Sequence, residues 1–334
     1  MISRSQHINP KIFDADVEQA PIRKGFGEGL VAAAEADARV VGLCADLTES
    51  TQMHLFKAKF PERFVEIGVA EQNLVTVASG MAAMGKIPFV SSYAVFSPGR
   101  NWEQVRTTVC YNNRPVKIAG SHAGVSVGPD GGSHQALEDI AITRALPRMT
   151  VIVPCDAIEA RKATLAAAKN GTPVYIRLAR EKTPIVTTEA TPFEIGKAAV
   201  FFEPVMGTPD VVIVAMGGLV HKALVAAKEL EKEKVGALVI NLATIKPLDG
   251  ETILRAAKSA GALVTVEEHQ IAGGMGSAVA EYFAAHASSF IPHEFVGVRD
   301  QFGQSGTPEE LIEHYGLGVS HIKEAARKAI ARKK

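Results

Sequence analysis

Two stretches of the chain carry side chains whose types and spacing suit chemistry. The first is Phe64-Val-Glu-Ile-Gly-Val-Ala-Glu-Gln-Asn-Leu74. It starts as a β-branched run, breaks at Gly68 and resumes as an apolar-periodic segment to Ala83, the pattern of a strand, a tight turn and a helix. Glu71 then falls in or near the first helical turn, where the helix dipole favours any carboxylate. A carboxylate held there can also share a proton with a ligand. Glu66 lies nearer the strand and is the weaker candidate for that task. The second stretch runs from Ser121 to Asp139, SHAGVSVGPDGGSHQALED. Its glycines disfavour regular helix or strand, and it sets Asp130 and His134 four residues apart around a turn. His122, Asp130 and His134 suggest a metal site, but no second tight histidine pair exists, so a polar substrate loop ranks higher. Between the two stretches, Tyr93 and Phe96 in SYAVFSPGR offer flat apolar faces. Taken alone they read as a core strand of aromatics.

The run IGVAEQ, the small residues after it and the segment SYAVFSPGRNWEQVR resemble the transketolase family of thiamine-diphosphate enzymes. The resemblance extends from about Pro21 to Leu317. It takes in Lys246–Asp249 and the segment VTVEEHQIAGGMGSAV, which are similar to the family's C-terminal domain. In that family a glutamate bonds the aminopyrimidine nitrogen and favours the imino tautomer that removes the thiazolium C2 proton. Glu71 matches it by position. The resemblance further implies that Phe96 stacks on the aminopyrimidine, that Tyr93 lines the same pocket and that Asp46 lies towards the thiazolium. Asp130 and His134 match the residues that hold the donor's hydroxyls and C2 oxygen. Arg23, Ser50, His122 and Arg180 match a set that grips the terminal phosphate of the sugar, a task suited to guanidinium forks. One departure stands out: a third aromatic common in the family falls at Gly99.

The family holds the diphosphate through a divalent metal, Mg2+ or Ca2+, using a GDG motif followed by Asn. This sequence has no GDG, and the histidines of that half have no counterpart. The resemblance therefore implies the C-terminal subunit of a split transketolase, paired with an N-terminal diphosphate-binding subunit that carries the metal. An α2β2 assembly is the simplest closed arrangement. The nearest alternative is a half-chain of a 1-deoxyxylulose-5-phosphate synthase, against which His122 speaks. The β subunit of a 2-oxo acid dehydrogenase fits the glycine-rich loop and the phosphate set poorly. A non-catalytic scaffold subunit is the alternative from another class, disfavoured by the joint presence of Glu71, Asp130 and His134.

These residues need a scaffold, and the chain has the material for one. Its 334 residues, 47% of them hydrophobic, suffice for about two domains. Lys plus Arg equals Asp plus Glu, 36 of each, which leaves no basic footprint for nucleic acid. Cys44, Cys110 and Cys155 are far apart, without CxxC spacing or a disulfide framework, as expected in a reducing cytoplasm. The polar opening does not read as a signal peptide. The apolar stretch Val211–Ala227 is broken by Gly217, Gly218, His221 and Lys222, so it does not read as a membrane span.

Strands are predicted at 40–44, 64–67, 89–93, 116–119, 150–153 and 174–178, alternating with helices that include 23–36, 73–84, 102–111 and 158–169. A second block repeats the alternation, with strands at 211–215, 237–241, 263–266 and 295–298 and a last helix at 320–333. The fold class is α/β: two domains, 20–182 and 195–334, each a mostly parallel sheet flanked by helices. The Pro- and Thr-rich segment Lys182–Glu194 is expected to link them. GGMGSAV (Gly273–Val279) partly matches a dinucleotide fingerprint but lacks its third glycine, so it reads as a strand-to-helix turn.

Overall fold

The computed structural model describes residues 1–205 and 207–333. The first half holds strands β1 (Gln19–Pro21), β2 (Val40–Cys44), β3 (Phe64–Glu66), β4 (Ile87–Tyr93), β5 (Lys117–Ser121), β6 (Thr150–Ile152), β7 (Val174–Arg177) and β8 (Lys182–Pro184). The second holds β9 (Ala199–Phe202), β10 (Val211–Ala215), β11 (Ala237–Asn241), β12 (Thr244–Lys246), β13 (Leu263–Gln270) and β14 (His293–Val298). Helices α1 (Ile22–Ala36), α2 (His54–Lys59), α3 (Glu71–Ala83), α4 (Trp102–Gln104), α5 (Asp139–Arg144) and α6 (Ala157–Lys169) belong to the first half. Helices α7 (Leu219–Lys232), α8 (Gly250–Ala260), α9 (Met275–His286), α10 (Pro308–His314) and α11 (Val319–Ala331) complete the second.

Two sheets result, each mostly parallel and each with one antiparallel edge strand. The first runs β12-β6-β7-β5-β4-β2-β3, and the second β14-β13-β10-β11-β9. In the first, only β12 is antiparallel to its neighbour, and it comes from beyond the second block's β11. In the second, β9 is the antiparallel edge. Parallel strands covered on both faces must be apolar throughout, and β2 (VVGLC) and β10 (VVIVA) are buried at every residue.

Helix α1 carries three glycines, a composition that costs helix stability. Packing against α6 explains Gly25 and Gly29, and close approach of Gln52 explains Gly27. A Cβ on Gly25 would lie 1.8 Å from the Ala157 carbonyl oxygen, and one on Gly29 would lie 2.8 Å from Thr164 Cβ. This close approach fixes the start of α1, which bears Arg23. A small antiparallel pair then joins β1 to β8, with Pro21 opposite Lys182, and brings Arg23 beside Arg180.

One expectation needs correction, and two segments are held more tightly than their composition tells. The segment Lys182–Glu194 joins the two halves as packed chain. It begins as β8, and the buried Asp156 carboxylate accepts from the amides of Val186 (2.8 Å) and Thr187 (2.5 Å) and from the Thr187 hydroxyl. Its threonines serve packed contacts rather than solvent. The polar N-terminal arm is likewise anchored, with Ile8 and Ile12 buried against the second domain. The helix expected over 102–111 is α-helical for one short turn and then continues as a π-helix, Val105–Tyr111. The spacing of buried Val105 and Val109 does not tell the two apart, and π-turns cluster near functional sites.

Candidate active site

The residues singled out from the sequence converge at one edge of the first sheet. Strands β7, β5, β4, β2 and β3 are neighbours and all parallel, so their carboxyl ends lie together. Asp46 follows β2, Glu71 follows β3, Tyr93 ends β4 with Phe96 just beyond, His122 follows β5 and Arg180 follows β7. Ligands of open α/β sheets bind at this edge.

Glu71 opens helix α3 and is 3% exposed. Burial of a carboxylate demands partners, and Arg100 supplies one, its Nη1 donating to Oε2 at 3.2 Å. Asn101, fully buried, donates Nδ2 to the Glu71 carbonyl (2.8 Å) and to Ser97 Oγ (3.0 Å), tying the start of α3 to the segment after β4. Glu66 does something else. Its Oε1 accepts from the amides of Asp46 (2.8 Å) and Gly68 (2.9 Å), and its Oε2 from the Thr48 hydroxyl (3.0 Å). It holds two turns together with both of its oxygens engaged.

Beside Glu71 stands an aromatic wall. Tyr93 and Phe96 are near-parallel, with centroids 6.0 Å apart and planes 12° apart. The His122 ring stacks on Tyr93 at 3.8 Å, and His134 meets Phe96 edge-on at 5.5 Å. The Arg100 guanidinium lies over Phe96 at 5.3 Å and so touches both the wall and the carboxylate. The missing third aromatic has a steric reason: a Cβ on Gly99 would sit 2.0 Å from the Val95 carbonyl oxygen. Only glycine fits this backbone path.

Beyond the wall, Arg23 donates Nε to the Arg180 carbonyl (3.1 Å) and Nη1 to the Ser50 carbonyl. Arg180 donates Nη1 to the Val127 carbonyl at 2.7 Å and lies 3.9 Å from Asp130 Oδ1. Burial, followed by the charge of Arg180, holds Arg23 below its usual pKa. Two guanidiniums in such proximity make a site that an anion relieves. His122, 2% exposed, donates to or accepts from Ser121 Oγ through Nδ1 at 2.8 Å. Burial pushes its pKa down to about 3, helped by Arg23, Arg180 and His134. With no anion in the cradle the ring is thereby kept neutral.

The structure thus brings together Glu71, Tyr93, Phe96, His122, His134, Asp130, Arg180, Arg23 and the Ser50 backbone. Asp46 stays apart: among the described residues no hydrogen bond or ion pair joins its side chain to this group. Its φ of 57° and that of His122, 56°, place both in the left-handed region just past their strands, a conformation common at functional turns. Arg100 and Asn101 were not picked out from the sequence. Their only signal was their place in the segment that carries Phe96. Among the described residues, no group of three or more His, Cys, Asp or Glu side chains is placed to hold a metal ion.

Family models agree with this architecture. Residues 18–186 match the transketolase pyrimidine-binding domain and residues 203–322 the transketolase C-terminal domain. A putative transketolase C-terminal section from Methanocaldococcus jannaschii is 43% identical, covering 90% of this chain and 93% of that protein. The 6-deoxy-6-sulfo-D-fructose transketolase subunit SqwH of a Clostridium species is 39% identical over 96% of this chain and 98% of its own length. Among solved structures, a split-gene transketolase described as an inactive β4 tetramer superimposes with a TM-score of 0.86. It is 44% identical, covering 94% of this chain and 99% of that one. The chain belongs to the transketolase family, with the two domains of a C-terminal split subunit.

The His122 environment has a measurable consequence. Its folded pKa of about 3 lies below the unperturbed 6.5, so between these values the unfolded chain binds a proton that the folded chain refuses. The group's contribution is complete above pH 6.5 and is lost as pH falls towards 3, with a limiting slope of about 1.4 kcal/mol per pH unit. His122→Asn should abolish this slope, because asparagine tolerates the left-handed backbone and carries no titrating proton. Urea unfolding below pH 6.5 should show wild type losing stability relative to the variant. A stability gap independent of pH would mean that His122 titrates normally.

Proposed function

We propose that the chain is the pyrimidine-binding subunit of a thiamine-diphosphate-dependent transketolase. In this reading it moves a two-carbon ketol unit from a ketose phosphate to an aldose phosphate. One juxtaposition carries the reading: a buried carboxylate, an aromatic wall and a two-arginine cradle succeed one another along a single sheet edge.

The residues present fit the cofactor's aminopyrimidine. Arg100 bonds only Oε2 of Glu71, so Oε1 can meet a ring nitrogen. The near-parallel Tyr93 and Phe96 suit a flat heterocycle. When bound, thiamine diphosphate supplies a nucleophilic carbon that takes up and releases the ketol unit. Glu71 holds the proton shared between its carboxylate and the ring nitrogen, the role of a positioned general acid–base group. Phe96 and Tyr93 would orient the ring and exclude water, and Asp46 would serve the thiazolium side. His134 and Asp130 hold the donor's hydroxyls next to the wall. Arg23, Ser50, His122 and Arg180 bind the terminal phosphate, which fixes the length of sugar that reaches the reacting carbon.

A partner completes the site in this account. The sequence lacks the GDG motif, so the diphosphate and its Mg2+ or Ca2+ belong to an N-terminal subunit, in an α2β2 complex with the catalytic edge at the junction. Val77 and Met84, seven residues apart on one face of α3 or at its end, are 40% and 84% exposed, and Val69 in the turn before Glu71 is 70% exposed. Such apolar exposure around the proposed catalytic helix supports a docking surface there. The related split-gene transketolase, named as inactive when it is a β4 tetramer, is consistent with a chain that needs another subunit. We divide the chain into a pyrimidine-binding domain, 20–182, and a C-terminal domain, 195–334. We place it in the cytoplasm; among the described residues no helix is long and apolar enough to cross a membrane.

The chain alone should show no ketol transfer and should gain it on mixing with a diphosphate-binding subunit. Full activity of the purified chain would refute the split arrangement. In the mixture, Arg180→Ala should raise the KM for a ketose phosphate by roughly ten- to a hundredfold, the loss of one charged contact of about 1.5–3 kcal/mol. An unphosphorylated donor such as hydroxypyruvate should be little affected. A sulfonated ketose, run in parallel, tests the other anion that the Clostridium relative's name raises. Equal losses on all donors would remove Arg180 from the anion cradle.

A further inference from the structure

The second domain lends no side chain to the site proposed above, yet it grips the loop that carries Asp130 and His134. That loop leaves β5 at Ser121 and ends at α5, and its own half of the molecule holds its two ends and one point between them, where Arg180 Nη1 donates to the Val127 carbonyl at 2.7 Å. Ala123 pairs with Ala136 in a short parallel bridge, and the Gly124 amide donates to the Ala136 carbonyl at 2.9 Å. Arg177 Nε donates to Asp139 Oδ2 at 2.8 Å.

The stretch between is pinned from across the domain boundary. Glu268, at the end of the buried run of β13, accepts from the Ser126 amide at 2.5 Å through Oε1. Its carboxylate lies so close under Gly124 that a Cβ there would be 2.3 Å from Oε1. Gln135 donates Nε2 to the Gln304 carbonyl at 3.0 Å. Gly132 packs against the Gly303 carbonyl, which a Cβ would approach to 2.5 Å. The Glu268 backbone is itself held, since its carbonyl accepts from Arg177 Nη2 at 2.8 Å. Arg177 therefore ties the loop's far end and the strand bearing Glu268 to one guanidinium. Glu268 is 7% exposed, too buried to serve as a solvating surface charge.

We propose that Glu268 is a positioning residue: by holding the Ser126 amide it sets where Asp130 and His134 stand, and so makes the C-terminal domain part of donor recognition. This rests on the reading of Asp130 and His134 as donor-binding residues. Glu268 touches neither the donor nor the cofactor in this account. Its effect passes through the Val125–Asp130 turn, whose backbone ends at the aspartate. Glu71 lies on a different strand connection, so cofactor activation should not feel the change.

Two variants and two readouts test this. Glu268→Ala removes the acceptor and leaves the Ser126 amide unpaired, whereas the Glu268→Gln amide oxygen can still accept it. In the full chain, hydrogen–deuterium exchange should accelerate by about tenfold or more across 121–139 in Glu268→Ala, the loss of one buried hydrogen bond. Segment 64–74 should exchange as in wild type, and Glu268→Gln should be restored towards wild type in both segments. In the reconstituted complex, Glu268→Ala should raise the ketose-phosphate KM by about tenfold, while exchange of the cofactor's C2 proton keeps its wild-type rate. Unchanged loop exchange in Glu268→Ala would overturn the clamp, as would equal acceleration throughout the chain. A normal donor KM alongside a loosened loop would overturn the link to donor recognition. If the wild-type complex showed no ketol transfer at all, the proposed activity would fall while the exchange data still decided the clamp.

Discussion

The parallel register of β7, β5, β4, β2 and β3 is the constraint on which the site depends. Cys44 sits opposite both Glu66 and Ser91, Tyr93 opposite Ser121, and Gly120 opposite Arg177, so the strands end nearly level. Each strand hands the chain to a loop at the same edge. Side chains from Glu71 to Arg180 are thereby brought to one edge of the sheet. A one-residue slip of any strand would turn its side chains to the opposite face and remove its loop from the group. Most residues of β2, β4, β5 and β7 are buried, which makes such a slip costly.

Along this edge opposite charges meet at both ends. Glu71 is buried beside Arg100 at one end, and Arg23 and Arg180 lie at the other with Asp130 3.9 Å from Arg180, the stacked aromatic rings standing between them. In the proposed reading the first end handles a proton and the other binds an anion. Arg100 spans the first boundary, with its guanidinium over Phe96 and its Nη1 on Glu71. It supplies the counter-charge that a buried carboxylate requires while staying 55% exposed itself. Neutral His122 at the other boundary adds a hydrogen-bonding ring without another positive charge beside Arg23 and Arg180.

Much of the fold was legible because it rests on local patterns. Strands 40–44, 211–215 and 237–241 were read to the residue, since continuous apolar runs bounded by turn residues have few alternatives. Helix α3 begins at Glu71, two residues earlier than its periodicity suggested, because the Gly68 turn and a first-turn carboxylate extend it. Composition did not show how Lys182–Glu194 is held, since its Val186 and Thr187 amides serve the buried Asp156. In the site, the motif residues could be named but not their neighbours. Nothing local in SPGRNWEQ reveals that Arg100 reaches Glu71 or that Gly99 is forced by the Val95 carbonyl. The Ser126–Glu268 bond joins residues 142 apart, across two domains, and only the tertiary structure shows it.

The central claim is that a buried carboxylate at the start of α3 activates a cofactor whose other end a second subunit holds. Exchange of the thiamine diphosphate C2 proton with solvent, followed by quenched-flow NMR on the reconstituted complex, addresses it without involving any sugar. Glu71→Gln keeps the side chain's size, so packing and assembly should persist, but it cannot hold the shared proton. The account predicts exchange slowed by about two to four orders of magnitude in the variant. An exchange rate equal to wild type in Glu71→Gln would contradict it and assign activation to another residue.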